Sequence, residues 1–208
     1  YNKLLRYKPL QCVFTKTVKH FIQMRTVILN LKTRPDRLAA TREELARFGI
    51  NNFEVFEGIQ NLHEGFNQSM QRIVSQITEP TLVLEDDVKF TGTIAQFYEV
   101  IAQLPDGWMM MYLGANVLEE CPRFSQNLNI LTSGWTTHAI LYSPLGAKYC
   151  AENYRFDGVY DDWLRRVAQK QIRCFITNPF LAIQRPDYSD LTGAYSDYNL
   201  LDTQKKLL

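Results

Sequence analysis

The chain has 208 residues, of which 46% are hydrophobic and 22% charged, the make-up of a soluble globular protein long enough to bury one sizeable core. A formal net charge of +1 and a pI near 7.8 exclude the overall basic field that usually accompanies nucleic-acid binding, so no nucleic-acid partner is expected. No apolar run approaches the ~20 residues needed to span a bilayer.

Residues 1–25 form a lead-in without an acidic side chain, the first acid being Asp36. Two readings stand: a basic surface peripheral to acidic lipid, or a solvated amphipathic segment. The chain opens on Tyr1 rather than methionine, which suggests a trimmed start and leaves open whether a signal or anchor was removed. From Thr26 onward a single domain, 26–208, is expected. "TVILNL" reads as a buried strand, and "KTRPDRLAATREELARFGI" as a helix with Thr33 as its cap, Pro35 in its first turn and Gly49 at its end. "NFEVFEGI" alternates as a half-buried strand does, and "EGFNQSMQRIVSQI" returns to helical spacing through Phe66, Met70, Ile73 and Ile77. "TLVL" suits a strand covered on both faces. "TIAQFYEVIAQL" is helical, "GWMMMYLG" and "WTTHAILYS" are further buried strands, and Ser143-Pro144 opens the helix "PLGAKYCAENY". "VYDDWLRRVAQKQ" is a last helix, followed by the turn-rich "PDYSDLTGAYSDYNLLD". This alternation predicts an α/β domain with a mostly parallel central sheet flanked by helices.

Cys12, Cys121, Cys150 and Cys174 lie far apart with no C-x-x-C pair, which points to buried free thiols and a reducing compartment. With no signal in view, the cytoplasm is the expected location. In parallel sheets ligands bind outside the carboxyl ends of the strands. The unusual polar residues gather there: Asn30, Lys32 and Arg34 after the first strand, Glu85, Asp86 and Asp87 after the third, Gly114 and Asn116 after the fourth. If the strand stays extended, Glu85 and Asp87 share one face and Asp86 points to the other. Such acids repel one another unless a cation, hydrogen bonds or solvent relieve them, and oxygen ligands suit magnesium or manganese. The plainer alternative is three solvated acids at a strand end.

"VILNLKTRPDR" and "LVLEDDV", in this order and spacing, resemble the opening motif and the metal motif of glycosyltransferase family 25, the lipopolysaccharide and collagen galactosyltransferase relatives. "GFNQSM", "LYSPLGA" and "QRPDYSD" resemble later elements of the family, so the likeness runs from about Thr26 to about Asp190. Met70 departs from it, standing where the family has histidine. The resemblance implies a GT-A (Rossmann-like) nucleotide-diphospho-sugar transferase fold, a nucleotide-sugar donor, a divalent metal, Mn2+ or Mg2+, and inversion at the anomeric carbon. By position it assigns Asp87 to the metal and Glu85 and Asp86 to supporting roles at the metal or ribose; Asp187 and Asp190 are candidates for one further metal ligand from near the C-terminus.

Physical chemistry adds roles. Arg34 and Arg37 are candidates to hold the departing diphosphate, with Asn30 and Leu31 lining the nucleotide. Arg37 has an equal alternative in pairing with Asp36 or Glu44. Inversion needs a base for the acceptor hydroxyl, and "DGVYDDWLRR" offers Asp157, Asp161 and Asp162, Asp161 ahead of Asp162; two acids in a first helical turn also simply suit the helix dipole. His138, inside an apolar strand, reads as a hydrogen-bonded core histidine. Trp135 is either a sugar-stacking or a strand-edge side chain. The expected function is metal-dependent transfer from a UDP-sugar to a hydroxyl of a saccharide or other acceptor. A non-catalytic nucleotide- or glycan-binding relative and a metal-dependent phosphohydrolase or nucleotidyltransferase are the alternatives.

Overall fold

Side chains of the apolar runs sort alternately onto the two faces of one sheet. The computed structural model describes residues 24–155, 158–189, 193–197 and 207–208. In chain order the first half comprises β1 (Arg25–Asn30), α1 (Pro35–Phe48), β2 (Glu54–Glu57), α2 (Leu62–Ser75), β3 (Thr81–Glu85), β4 (Val88–Phe90) and α3 (Ile94–Ile101). There follow β5 (Met110–Tyr112), β6 (Asn116–Val117), β7 (Leu128–Ile130), β8 (Gly134–Trp135), β9 (Ala139–Tyr142) and α4 (Pro144–Asn153). Next is α5 (Tyr160–Trp163), continued by a π-helical turn, Leu164–Ala168, and by Gln169–Gln171; β10 (Cys174–Thr177), β11 (Ala182–Gln184), β12 (Asp187–Ser189) and β13 (Ala194–Ser196) close the fold.

The central sheet has seven strands in the order β2-β1-β3-β9-β5-β10-β7. The β1–β2, β1–β3 and β5–β10 pairs are parallel, whereas β9 opposes both β3 and β5, and β7 opposes β10. Five strands therefore share one direction and two oppose it, in accord with the mostly parallel α/β sheet expected from the alternation of elements. Val27, Leu29, Val83, Ile140 and Tyr142 face one layer with Met70 and Ile73 of α2, Cys150 of α4 and Trp163 of α5. Ile28, Leu82, Leu84, Met111 and Leu141 face the other with Leu45 and Phe48 of α1 and Phe97 of α3. Burial on both faces is why these strands read as unbroken apolar runs. Each large side chain removed from water contributes about 1.5–3 kcal/mol.

Local signals held with one exception at a cap. Thr93 and Gln96 form a reciprocal capping box on α3, and Ser143 Oγ accepts from Gly146 N at 3.0 Å on α4. Gly49, at φ 102°, ends α1 in the left-handed region. Thr33 does not cap α1; the cap position is Arg34, without a side-chain bond, because Pro35 already occupies the first helical position and needs no donor partner. Cys121, Cys150 and Cys174 are free and buried, while Cys12 lies outside the described residues. So does most of the basic lead-in. Among the described residues no helix is long and apolar enough to cross a membrane.

Candidate functional site

At the carboxyl ends of β2, β1 and β3 the chain encloses a cavity of about 300 Å3. Its wall is Leu29 in β1 with Leu31 and Thr33 after it, the segment from Gly58 to Leu62 after β2, Glu85 at the end of β3 with Asp86 and Asp87 after it, and Arg37, Phe66, Ser69, Gln184 and Asp187 from elsewhere in the chain. The Gly58–Leu62 segment is latched by α2: Ile59 N donates to Ser69 Oγ at 2.9 Å, and Ser69 Oγ donates to Gly65 O at 2.7 Å. Gly65 has to be glycine, since a Cβ there would stand 2.0 Å from Ile59 O. Met70, next to Ser69, is 1% exposed and belongs to the core. The position at which the resemblance to family 25 expects histidine is thus a packing position in this chain.

The extended geometry expected for the acid triplet does not persist. β3 stops at Glu85, and Asp86 and Asp87 form a turn into β4, which pairs with β11. In this turn Asp86 and Asp87 both close on Arg37, and Asp87 also bears electrostatically on Glu85. Arg37 Nη1 lies 3.0 Å from Asp86 Oδ1, Nη2 3.1 Å from Asp87 Oδ2 and Nε 3.1 Å from Asp187 Oδ2. Neither Asp36 nor Glu44 is its partner: Asp36 pairs with Arg34 and Glu44 with Arg47. Arg34 Nη2 also reaches Asp187 Oδ2 at 3.5 Å. Gln184 Nε2 donates to Asp87 Oδ2 at 3.2 Å, and the turn backbone is held by Thr41 Oγ1 and Arg185 Nη2 on Asp86 O.

Glu85 is separately engaged. It accepts from Thr137 Oγ1 at 2.6 Å, and its backbone N donates to His138 O at 3.0 Å. Burial, with the Asp87 charge added, pushes its carboxyl up to about 8. His138 is the core histidine expected: 3% exposed, with its ring nitrogens near Thr136 Oγ1 and Ala182 O. Burial lowers its pKa against the pull of Asp87.

Asp161 and Asp162 stand in the first turn of α5, outside the cavity wall, and differ from each other. Asp162 is bound at 2.7 Å by both Arg165 and Arg166. Asp161 is pushed up by burial and by Asp162, and its charge is felt by Glu85. Trp135 carries the Arg165 guanidinium 4.4 Å from its ring centroid. Asn30 is buried beside the wall with Nδ2 on Leu31 O at 2.7 Å. Asp157 and Asp190 lie outside the described residues. Sequence reasoning missed Gln184, Thr137 and the Gly58–Leu62 segment; the signals available were the first residue of "QRPDYSD" and a glycine after a strand.

Whether these residues suit a divalent cation rests on oxygens without donors. Asp87 Oδ1 and Gln184 Oε1 are buried and have no hydrogen-bond partner among the described residues. Two such oxygens fit a hard ion that completes its shell with water and phosphate. Among the described residues no three His, Cys, Asp or Glu side chains form a ready ligand group, so the fit is to an ion shared with a ligand.

No protein-family model and no curated protein matches the chain. Solved structures do. A glycosyltransferase involved in the glycosylation of the major capsid of PBCV-1 is similar over 88% of this chain and 100% of its own, at 12% identity and a TM-score of 0.49. A197 from STIV is similar over 79% and 95%, at 9% identity and 0.48. The glycosyltransferase GlyE of Streptococcus pneumoniae TIGR4 is similar over 73% of this chain and 45% of its own, at 14% identity and 0.44.

Proposed function

We propose that the chain is a GT-A glycosyltransferase of the family 25 kind, which moves a sugar from a nucleotide-sugar donor, a UDP-sugar, to a hydroxyl of a glycan or other acceptor with inversion. The observation that carries this reading is the Asp87 carboxylate: it is buried at the carboxyl end of β3, held through one oxygen by Arg37 and Gln184, and without a hydrogen-bond partner among the described residues on the other. A carboxylate that lines a cavity of about 300 Å3 and has one oxygen without a donor among the described residues is suited to a cation that a diphosphate shares.

In the reaction so read, an acceptor oxygen attacks the anomeric carbon as the bond to the diphosphate breaks, and negative charge grows on the leaving group. A bound Mn2+ or Mg2+, held by Asp87 with Gln184 beside it, supplies electrostatic stabilisation of that charge. Arg37 and Arg34 give the phosphates bidentate donors. Asn30 and Leu31 border the nucleotide, and Asp86 keeps the Arg37 fork in register. Asp161 is the base that takes the acceptor proton: its raised pKa brings it nearer the range in which a carboxylate is an effective proton acceptor. Asp162, committed to two arginines, orients the helix that presents Asp161.

The test is calorimetric titration of UDP into the protein with and without Mn2+, on wild type and on Asp87→Ala. Binding that needs Mn2+ and is lost in the variant is expected, with transfer lost as well. UDP binding of equal strength without metal, or none, would remove the basis of the donor site. Turnover of phosphate esters or nucleoside triphosphates with no sugar acceptor would point instead to a hydrolase or nucleotidyltransferase.

A further inference from the structure

Each nitrogen of the Arg37 fork faces a carboxylate. Its three nitrogens stand 3.0–3.1 Å from oxygens of Asp86, Asp87 and Asp187, and only 11% of the side chain is exposed. These acids come from two separate parts of the chain, the β3–β4 turn and β12, so the guanidinium ties β12 to the turn. A buried cation of this kind is tolerable only while it is paired, and the acids are tolerable together only while it is there. Arg34, on Asp187, and Arg185, on the Asp86 carbonyl, add positive charge at the rim.

Asp87 is the pivot of this arrangement. Arg37 and Gln184 share its Oδ2, whereas Oδ1, on a side chain 8% exposed, has no donor among the described residues. A divalent ion arriving alone at Oδ1 would meet the guanidinium on the other oxygen of the same carboxylate. In a partly buried site, where water screens weakly, these like charges repel strongly. A nucleoside diphosphate changes the balance, because it brings anionic oxygens that can take the fork bidentately and can share the metal.

We propose that Arg37 is the resident counter-ion of the site and makes entry of a divalent metal conditional on a nucleoside diphosphate. This rests on the reading of the cavity as the donor site. Metal and diphosphate then bind with positive coupling, and linkage requires the factor to be the same in both directions. Replacing Arg37 by a neutral side chain removes the condition: the three acids lose their cation, and a metal ion can enter without nucleotide.

The experiment is Mn2+ titration followed by the paramagnetic resonance of the free ion, on metal-free protein with and without UDP and corrected for the Mn2+–UDP complex measured in protein-free solution. Wild type is expected to bind Mn2+ at least about ten-fold more weakly without UDP than with it, within the usual span of allosteric coupling. Arg37→Gln is expected to bind Mn2+ without UDP about ten-fold more tightly than wild type, with the coupling reduced accordingly. Arg34→Gln, which removes a positive charge from the rim and leaves the β3–β4 turn intact, is expected to shift in the same direction by less, and it carries the test should Arg37→Gln not fold by circular dichroism. Equal Mn2+ affinity of wild type with and without UDP would overturn the proposal and leave the metal site standing. A folded variant that binds Mn2+ no better than wild type without UDP would overturn it too. If no form bound Mn2+ under either condition, the assignment of Asp87 to a metal would fall first and the proposal with it.

Discussion

Two pairs of adjacent aspartates, Asp86-Asp87 and Asp161-Asp162, look alike in the sequence and have opposite fates in the fold. The first pair lies in a turn at a strand end, where both carboxylates close on the same guanidinium. The second lies in a helix, where consecutive side chains diverge by about 100° and do not face each other. Asp162 there turns to Arg165 and Arg166, three and four residues on, while Asp161 accepts backbone hydrogen bonds from Asp162 and Thr136. Backbone geometry, not adjacency, decides whether two acids form one site or two.

The sharpest way to break this comparison is to treat both members of the helical pair alike. Asp161→Asn is expected to lower kcat by about 10²–10⁴ while leaving Mn2+-dependent UDP binding unchanged, as loss of a general base requires. Equal loss of UDP affinity would move Asp161 into the donor site. Next in size is the pH response of Glu85, the acid that left the turn pair. Its folded pKa of about 8 stands above its ordinary 4.5, so the native protein keeps a proton that the unfolded chain has released. Stability should therefore fall as pH rises between these two values and level off beyond about 8. Thermal melting in the presence of chelator across this range checks the slope, and Glu85→Gln should flatten it. Smallest is Asp162→Asn. Burial raises the Asp162 pKa, but the arginine hydrogen bonds outweigh it and hold the group below its ordinary value. Its contribution is present above the ordinary carboxylate range and lost as pH falls through the depressed value. With Arg166 more than half exposed, the loss should not exceed about 1 kcal/mol, read from urea midpoints.

The fold was legible where one physical rule acted alone. Unbroken apolar runs such as Thr81–Leu84 could only be strands covered on both faces, and Thr93 and Ser143 announced their helices by capping chemistry. The reversed direction of β9 was not legible, because a doubly covered strand has the same composition whichever way it runs. The acids were legible as a cluster at a strand end, and their partners were not. Which carboxylate meets Arg37 depends on where β3 stops, and a stretch that continues as Asp-Asp-Val-Lys-Phe carries no glycine or proline to mark that point. Gln184 and Thr137 belong to the site only through contacts 97 and 52 residues distant in sequence, which no local pattern encodes.

That 52-residue span between Thr137 and Glu85 also bears on how the molecule assembles. The parallel β1–β3 pair and α1 can form from the first part of the chain, but the strand that covers the other side of β3 arrives much later in synthesis. Pairings of such long range close slowly, because the loop entropy is lost before the contacts are gained. The acid turn should thus be among the last parts of the protein to reach its native surroundings, with Glu85 open to water and ionised until β9 docks. Pulsed hydrogen exchange during refolding should then show protection of the Glu85 amide lagging behind that of the α1 amides.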